Sequence, residues 1–430
     1  MGWAQSWHEQ RAFFQTILRW SLLGSAVGLL AGTASAIFLA ALDWATATRV
    51  AHPPIIFLLP LAGLALGWVY HRYAGTAARG NNLIIEQLHL NRDPLPRRMA
   101  PFILLGTVWT HLFGGSAGRE GAAVQMGGSL ADALRRLLNL QGEDRRWMIL
   151  AGISGGFGSV FGTPLAGVVF ALEVQNTGRV RYEGLIPCLA AALVGDLTTR
   201  AWGIAHTHYP RLADPGLQPT LLLLVALAGI IFGLTSLLFI ELTHRIKHLA
   251  ARRLASPPLR PLVGGLIVLA LALLLGTQDY LGLSLPLIRQ SVEQGDVFPL
   301  AFLLKLIFTA ITLGTGFMGG EVTPLFVIGS TLGYTLGTLL GLDPHWLAML
   351  GFVAVFAGAS NTPLACTLMG IELFGGGAAI YIGLACFIAY VASGHRSIYL
   401  TQRIGTPKTA GVDARPDETL EELARRWSDH

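Results

Sequence analysis

An arginine and a glutamate stand side by side in a glycine-rich stretch of this largely apolar sequence, residues 114–123 (GGSAGREGAA). A charged side chain at membrane depth costs roughly 2.5 to 3.5 kcal/mol on insertion scales, and such residues usually mark ion or proton pathways. Glu120 is therefore the first candidate for a group that carries protons or gates an ion. A structural salt bridge with Arg119 is the alternative.

A second glutamate stands at a matching position in an internal repeat. Residues 163–166 (TPLA) recur at 362–365, and the glutamate ten residues beyond each threonine recurs as Glu173 and Glu372. Upstream, residues 118–120 (GRE) are matched by 319–321 (GGE), which pairs Glu120 with Glu321. Matches kept in order at nearly one spacing indicate two structural halves.

The composition is that of an all-α polytopic membrane protein. Of 430 residues, 53% are hydrophobic and 13% are charged, against about 25% charged in soluble domains. Charge-free runs at 20–42, 221–240, 261–278 and 373–394 approach or exceed the roughly 20 residues that span a bilayer. This pattern excludes an ordinary soluble enzyme.

Charge and cysteine content exclude other classes. The net charge of +5 is spread along the chain, which indicates positive-inside topology and not nucleic-acid binding. Basic residues before the first run and in the 245–260 loop predict that both termini are cytoplasmic. Three cysteines in apolar runs suggest neither disulfides nor a metal site, and no cofactor is expected.

These features divide the chain into five segments. We expect a cytoplasmic N-terminal segment at 1–19, a first membrane repeat at 20–200, a connecting loop at 201–216 and a second membrane repeat at 217–394. Residues 395–430 are expected to hold a final helix and a short cytoplasmic tail without a regulatory domain. Within the tail, residues 417–426 can form a short amphipathic helix.

Paired halves with helices interrupted by Gly and Pro are typical of secondary transporters. The N-termini of broken helices carry free N–H groups and a positive partial charge, which favours an anion. Three glycine-rich segments predict such openings: 79–83, the stretch that begins at Gly118, and 314–321. Close packing of helices at these glycines is the alternative.

The motifs GREG at 118–121 and GTPLAG at 162–167, with the 316–324 stretch, resemble the CLC family of chloride channels and anion/proton antiporters. The likeness covers about residues 20–405. It implies a homodimer with one anion pathway per subunit and an inverted repeat of tilted, partly spanning helices.

Departures from the family pattern resemble its bacterial fluoride-exporting branch, CLC-F. Asn81 falls where chloride-handling members have a coordinating serine, Ala122 replaces the proline after GREG, and residues 319–324 read GGEVTP. Val174 falls at the place of the internal proton glutamate of chloride/proton antiporters, so that glutamate is missing, as the resemblance to this branch implies.

The resemblance and the repeat together define the candidate site. Glu120 is the expected gate and proton carrier. The expected anion-binding residues are Asn81, Gly118, Arg119, Gly121, Glu321, Val322, Thr323 and Tyr399. A helix cap remains the alternative for Glu321, an Asx turn or N-cap for Asn81, and packing alone for Tyr399.

Four other polar residues in apolar surroundings receive non-catalytic interpretations. Glu173 and Glu372 are expected to be structural or interfacial. Lys305 is expected to snorkel to the membrane surface, and His111 to be a satisfied buried histidine.

The leading hypothesis is a fluoride/proton antiporter in a bacterial inner membrane, with fluoride, protons and the lipid bilayer as partners. A chloride/proton antiporter or passive chloride channel of the same fold is the near alternative. A membrane enzyme that uses Glu120 and Glu321 as acid and base is a distant one, because no nucleophile or metal-ligand motif accompanies them.

Overall fold

The computed structural model describes residues 3–90, 92–415 and 417–428, and these residues are mostly helical. In chain order the α-helices are α1 Trp3–Ala51, α2 Leu59–Val69, α3 Asn81–Leu90, α4 Met99–Leu112, α5 Glu120–Leu137, α6 Glu143–Phe161, α7 Pro164–Glu173, α8 Leu185–Ala201, α9 Pro219–Arg253, α10 Leu259–Leu275, α11 Leu285–Arg289, α12 Ala301–Gly314, α13 Val322–Leu340, α14 Pro344–Ser360, α15 Pro363–Phe374, α16 Ala379–Ala392 and α17 Leu420–Ser428. Two short strands, β1 Asn176–Thr177 and β2 Arg403–Ile404, pair in parallel.

Helix lengths agree with a membrane protein of broken helices. Among the described residues, Glu9–Ala51, Pro53–Leu90, Pro219–Arg253 and Val322–Leu340 are long and apolar enough to cross a bilayer. Others are too short, since the 14 residues of α4 or α12 extend about 21 Å and a bilayer core is about 30 Å thick. The predicted all-α polytopic fold with partly spanning helices is therefore confirmed.

Reciprocal hydrogen bonds relate the two halves of the chain. The Glu372 carboxylate accepts N–H bonds from Leu165 at 3.0 Å and Ala166 at 2.8 Å, at the N-terminus of α7. The Glu173 carboxylate accepts the equivalent bonds from Leu364 at 3.1 Å and Ala365 at 2.9 Å, at the N-terminus of α15. Each half caps a helix of the other, as expected for an approximate two-fold axis.

Glycines bring α5 close to α6 and α13 close to α14. A Cβ on Gly127 of α5 would lie 2.1 Å from the Gly152 oxygen of α6, and one on Gly329 of α13 would lie 2.1 Å from the Gly351 oxygen of α14. Such distances exclude any side chain, so each pair of backbones is in direct contact. This packing fixes α5 against α6 and α13 against α14 about two turns after the first residue of α5 and of α13.

The described residues of the expected N-terminal segment, 1–19, belong to the same helix as the first span, because α1 runs unbroken from Trp3 to Ala51. The division into five segments stays a prediction. Tyr399 does not lie in a final helix. Gly394, with a φ of 62°, takes the left-handed conformation that follows helix ends, and Tyr399 follows in a non-helical segment before β2.

The tail helix occurs where the amphipathic pattern predicts it. Thr419 and Glu422 form a capping box, in which the Glu422 carboxylate accepts the Thr419 N–H at 2.8 Å and the Thr419 hydroxyl accepts the Glu422 N–H at 3.2 Å. Leu420 and Leu423 are buried against Ile404. The helix α17 is thus docked on the rest of the tail.

Candidate functional site

Three helices begin at the glycine-rich segments singled out in the sequence. Helix α3 begins at Asn81, α5 at Glu120 and α13 at Val322, with Glu321 as its N-cap residue. Gly80 precedes α3 with a φ of 58°, a conformation that L side chains rarely adopt. All three predicted openings are therefore confirmed as helix N-termini.

The two matching motifs lie side by side. The Gly118 N–H donates to the Gly320 oxygen at 2.6 Å, and the Gly320 N–H donates back to the Gly118 oxygen at 2.8 Å. A Cβ on Gly118 would lie 2.7 Å from Pro324 Cδ and 2.9 Å from the Gly320 oxygen. Glycine is needed at Gly118 because the backbones approach this closely.

The Glu120 carboxylate lies at the N-terminus of the other half's helix, α13. It accepts a hydrogen bond from the Thr323 N–H at 2.9 Å and another from the Thr323 hydroxyl at 2.6 Å. The Arg119 guanidinium is farther away, with its Nε 3.4 Å from Glu120 Oε1. Free N–H groups at a helix N-terminus form an anion site, so this carboxylate fills a place that suits an anion.

Two cavities flank this arrangement. The first, the Glu120 cavity, has a volume of about 160 Å³ and is lined by Arg119, Glu120 and Thr323 among others. The second, the Glu321 cavity, has a volume of about 200 Å³ and is lined by Asn81, Glu321 and Tyr399 among others. The Gly118–Gly320 bridge is bordered by both, because Arg119 lines the first cavity and Gly319 the second.

Polar groups gather where the Glu321 cavity reaches α5. A Cβ on Gly121 would lie 3.0 Å from Asn81 Nδ2 and 3.6 Å from Glu321 Oε2. The missing side chain therefore leaves room for the amide and the carboxylate beside the α5 backbone. Asn81 Oδ1 is buried and has no hydrogen-bond partner among the residues that the structure describes.

The structure places six of the predicted residues in two groups, and the other three, Gly118, Gly121 and Val322, line neither cavity. Arg119, Glu120 and Thr323 share one cavity, and Asn81, Glu321 and Tyr399 share the other. Val322 differs, because its side chain is 1% exposed and belongs to the apolar core. Only its backbone N–H, in the first turn of α13, can face an anion.

Lys305 contradicts its sequence-based interpretation. It does not snorkel, since its side chain is 0% exposed. Its ammonium donates to Ser116 Oγ at 2.9 Å, Ser284 Oγ at 2.8 Å and the Gly282 oxygen at 2.8 Å. The Lys305 ammonium is therefore satisfied by neutral oxygens from segments distant in sequence. Through Ser116, it contacts the segment that leads into Gly118.

His111 is buried against the same segment from another side, and both ring nitrogens face carbonyl oxygens, of which a neutral ring donates to only one. Its Nδ1 lies 2.8 Å from the Thr107 oxygen and its Nε2 lies 3.1 Å from the Ala117 oxygen. The motif is thus fixed by hydrogen bonds before α5 begins. Sequence reasoning also missed Lys247, Gln125 and Tyr209, which line the cavities; only their positions in the fold reveal them.

The described residues contain no group of three or more His, Cys, Asp or Glu side chains arranged to hold a metal ion. Val174 is buried directly after α7, and its carbonyl accepts a bond from Gln402 Nε2 at 2.9 Å. The site therefore consists of backbone N–H groups, an amide, hydroxyls, an arginine and two carboxylates, a set suited to anions and protons.

Comparison with known proteins agrees with this geometry. The chain is 49% identical over 406 residues to a protein of Pseudomonas syringae pv. tomato described as a chloride/fluoride channel protein, covering 93% of this chain and 90% of the relative. A crystal structure of a CLC-type fluoride/proton antiporter matches with a TM-score of 0.88 and 34% identity, covering 90% of this chain and 98% of that one.

More distant relatives have other transport descriptions. An H⁺/Cl⁻ exchange transporter ClcA of Vibrio parahaemolyticus is 28% identical, covering 82% of this chain and 81% of the relative. The model of the voltage gated chloride channel family matches residues 62–394. The chain therefore belongs to this family, the CLC family.

Proposed function

We propose that the protein is a fluoride/proton antiporter that expels fluoride at the expense of inward proton movement. The observation that carries the proposal is the Glu120 carboxylate at the N-terminus of α13, bonded to Thr323 and bordering one of two cavities. As a carboxylate it fills the anion position. As a neutral acid it loses its attraction to the helix N-terminus, so an anion can replace it.

The chemistry of the lining favours a small, strongly hydrated anion. Fluoride gives up its water only to a site that offers dense hydrogen bonding. In the proposal, Thr323 supplies an N–H and a hydroxyl, Val322 a backbone N–H, and Asn81 an amide N–H₂. Arg119 adds positive charge on the Glu120 side, and Tyr399 a hydroxyl on the other side.

The remaining site residues have supporting roles in the proposal. Gly118 and Gly121 allow the close backbone approaches that bring the two halves together. Glu321 lies at the repeat-related position and tunes anion choice or coupling from its own cavity. Val174 leaves no internal proton glutamate, so protons follow a route that depends on the residues around Glu120.

Names of relatives support the proposal and its alternative. The Pseudomonas relative is described with both halides, and the solved structure in the comparison is described as a fluoride/proton antiporter. The Vibrio relatives, described as H⁺/Cl⁻ exchangers, support a chloride/proton antiporter as the second candidate. A passive chloride channel is the variant without coupling.

We place the protein in the inner membrane of a bacterium, as a homodimer, with both termini in the cytoplasm. Arg245, Lys247 and Arg252 at the end of α9 support this orientation. Arg396 Nε lies 2.7 Å from Glu241 Oε1, which brings the tail to the same end of α9. Crosslinking in native membranes tests the homodimer. Access of a reagent to the tail from one side of the membrane tests the orientation.

Flux from liposomes tests the function. Purified protein is reconstituted into vesicles loaded with fluoride or chloride, and efflux is followed with an ion electrode beside a pH electrode. We expect fluoride efflux accompanied by proton uptake and slower chloride efflux. Chloride turnover equal to that of fluoride would favour the second candidate, and anion efflux without proton movement would favour a channel.

A further inference from the structure

A large cavity with positively charged walls lies outside the site described above. It has a volume of about 790 Å³ and is lined by the last turns of α9, the loop after α16, and α17. We call it the basic cavity. At this size it falls among small-molecule sites and far exceeds what a single halide ion would fill.

The α9 wall presents one continuous polar face. Residues at 241, 244, 245, 248 and 252 line the cavity, and their spacing of three or four places them on the same side of a helix. The opposite wall is held in place by Trp427, whose ring lies 5.3 Å from the Arg396 guanidinium. The cavity is therefore built from ordered elements and is not a gap beside a free tail.

Its charges are unbalanced. The two acids that line it already have partners: Glu241 pairs with Arg396 at 2.7 Å and Arg245 at 3.6 Å, and Glu421 pairs with Arg425. In the part of the chain that the structure describes, neither Lys247 nor Arg252 forms an ion pair. The positive charges of Lys247 and Arg252 thus remain available to a ligand.

The position along α9 brings the cavity to the membrane surface. The 35 residues of α9 extend about 52 Å, well beyond a bilayer core of about 30 Å. Its uncharged part, 221–240, fills the core, so the turns that line the basic cavity lie at the depth of lipid headgroups and beyond. Both a headgroup phosphate and a soluble phosphate compound can reach it.

We propose that the basic cavity binds a phosphate-bearing anion of at least two negative charges. Lysine and arginine are the usual ligands of phosphate oxygens, and the volume accommodates a phosphate ester or diphosphate. The site is distinct from the halide site, because its walls come from the end of α9 and from the tail.

Occupancy of the basic cavity bears on transport, and this step rests on the proposed function. Lys247 lines both the basic cavity and the Glu321 cavity, and Ser397 of one is two residues from Tyr399 of the other. A multivalent anion bound here neutralises Lys247 and obstructs the route of a halide from this face. Binding therefore slows anion flux.

Calorimetric titration of the purified full-length protein with inorganic pyrophosphate tests the binding step without any transport assay. We expect saturable binding that weakens about tenfold in a Lys247→Gln/Arg252→Gln variant, since charged hydrogen bonds are lost. A matched Arg253→Gln/Arg260→Gln variant removes the same charge from residues that do not line the cavity and should bind as wild type. No saturable binding, or equal weakening in both variants, would overturn the proposal.

Repeating the titration in nanodiscs of phosphatidylcholine, with or without cardiolipin, whose headgroup carries two phosphates, identifies the source of the phosphate. Competition by cardiolipin assigns the cavity to a lipid headgroup, and its absence to a soluble anion. Pyrophosphate added on the tail side of fluoride-loaded vesicles should slow efflux several-fold; bound pyrophosphate without slower efflux would refute the regulatory step. If no fluoride flux occurs at all while binding persists, the proposed function fails and the binding site stands.

Discussion

Glu120 and Thr323 form the central contact of the site at the scale of single residues. The carboxylate of one half of the chain is held by a backbone N–H and a hydroxyl at the helix start of the other half. This explains how an acid tolerates burial at 1% exposure, because two donors replace its water. It also makes Thr323 the natural partner of whatever replaces the carboxylate.

Removing the Thr323 hydroxyl should weaken the site both when the Glu120 carboxylate fills it and when an anion replaces that carboxylate. Thr323→Val keeps the shape but deletes a donor to a charged group, which contributes roughly 1.5–3 kcal/mol. We expect proton-coupled fluoride turnover to fall about tenfold, whereas Thr323→Ser retains most of it. Vesicle flux measures both variants, and equal turnover of Thr323→Val and wild type would remove Thr323 from the pathway.

Asn81 is the residue at which anion choice should be most easily changed. Its amide stands beside Gly121 on the Glu321 cavity, at the position that the sequence resemblance is expected to align with a coordinating serine of chloride-handling members of the family. Asn81→Ser replaces two N–H donors by one O–H. We expect the ratio of chloride to fluoride flux to rise several-fold, and an unchanged ratio would contradict the alignment of Asn81 with the serine.

At the scale of elements, the structure depends on helix ends capped across the repeat. Glu372 caps α7 and Glu173 caps α15, and these N-termini follow Thr163 and Thr362, whose side chains do not serve as caps. Each half of the chain therefore provides the cap of a helix in the other half. This couples the folding of one half to that of the other.

Replacing Glu372 by Ala should destabilise the protein without changing coupling. Loss of a helix N-cap costs typically about 1 kcal/mol and up to about 2, and Glu372→Gln should lose less because one oxygen remains. Denaturant unfolding in detergent measures the difference. The control is Glu183→Ala at an exposed side chain outside the helices, which should change stability by less than about 0.5 kcal/mol. A change in proton-to-fluoride ratio in Glu372→Gln would contradict a purely structural role.

Docking of the tail should depend on pH through His395. The His395 Nε2 accepts the Lys408 N–H at 2.9 Å, so this bond requires the neutral ring. Burial, with the nearby Lys408 and Arg396 charges, lowers the pKa of His395 below 6.5. An undocked tail therefore binds the proton more readily, and docking is fully stable above about pH 6.5 and weakens as the pH falls below it.

Hydrogen exchange of the tail tests whether docking weakens as the pH falls. Protection of residues 400–428 should decrease between about pH 7.5 and about pH 5.5 in the wild type. His395→Gln removes this titration but keeps that of Lys408, whose pKa burial lowers to about 7, and it should therefore lose less protection than the wild type over the same range. Tail protection that rises on acidification, or that falls equally in the variant, would rule out His395 as the titrating group.

At the scale of the whole molecule, the repeat carried most of what could be predicted. The offset matches identified Glu120 with Glu321 and Glu173 with Glu372, and the glycine-rich segments located the starts of α3, α5 and α13. These features could be predicted because each depends on local sequence. A glycine precedes the helix or a proline stands in its first turn, and the same pattern recurs in the other half of the chain.

Other features could not be read from the sequence because they depend on contacts between distant segments. Lys305 lies in an apolar run, and its neutral oxygen partners come from loops more than 20 residues away. The split of Glu120 and Glu321 between two cavities and the basic cavity beneath α17 arise only when the halves and the tail are assembled. Tyr399 reaches its cavity from a loop, which helical periodicity does not reveal.

Glu120 is the residue that we expect to couple anion movement to proton movement. In vesicles with an outward fluoride gradient, simultaneous fluoride and pH recording should show coupled proton uptake for wild type and for the exposed-acid control Glu143→Gln. Glu120→Gln, which cannot exchange a proton at this position, should show no fluoride-driven proton uptake. Coupled exchange at the wild-type ratio in Glu120→Gln would contradict the account.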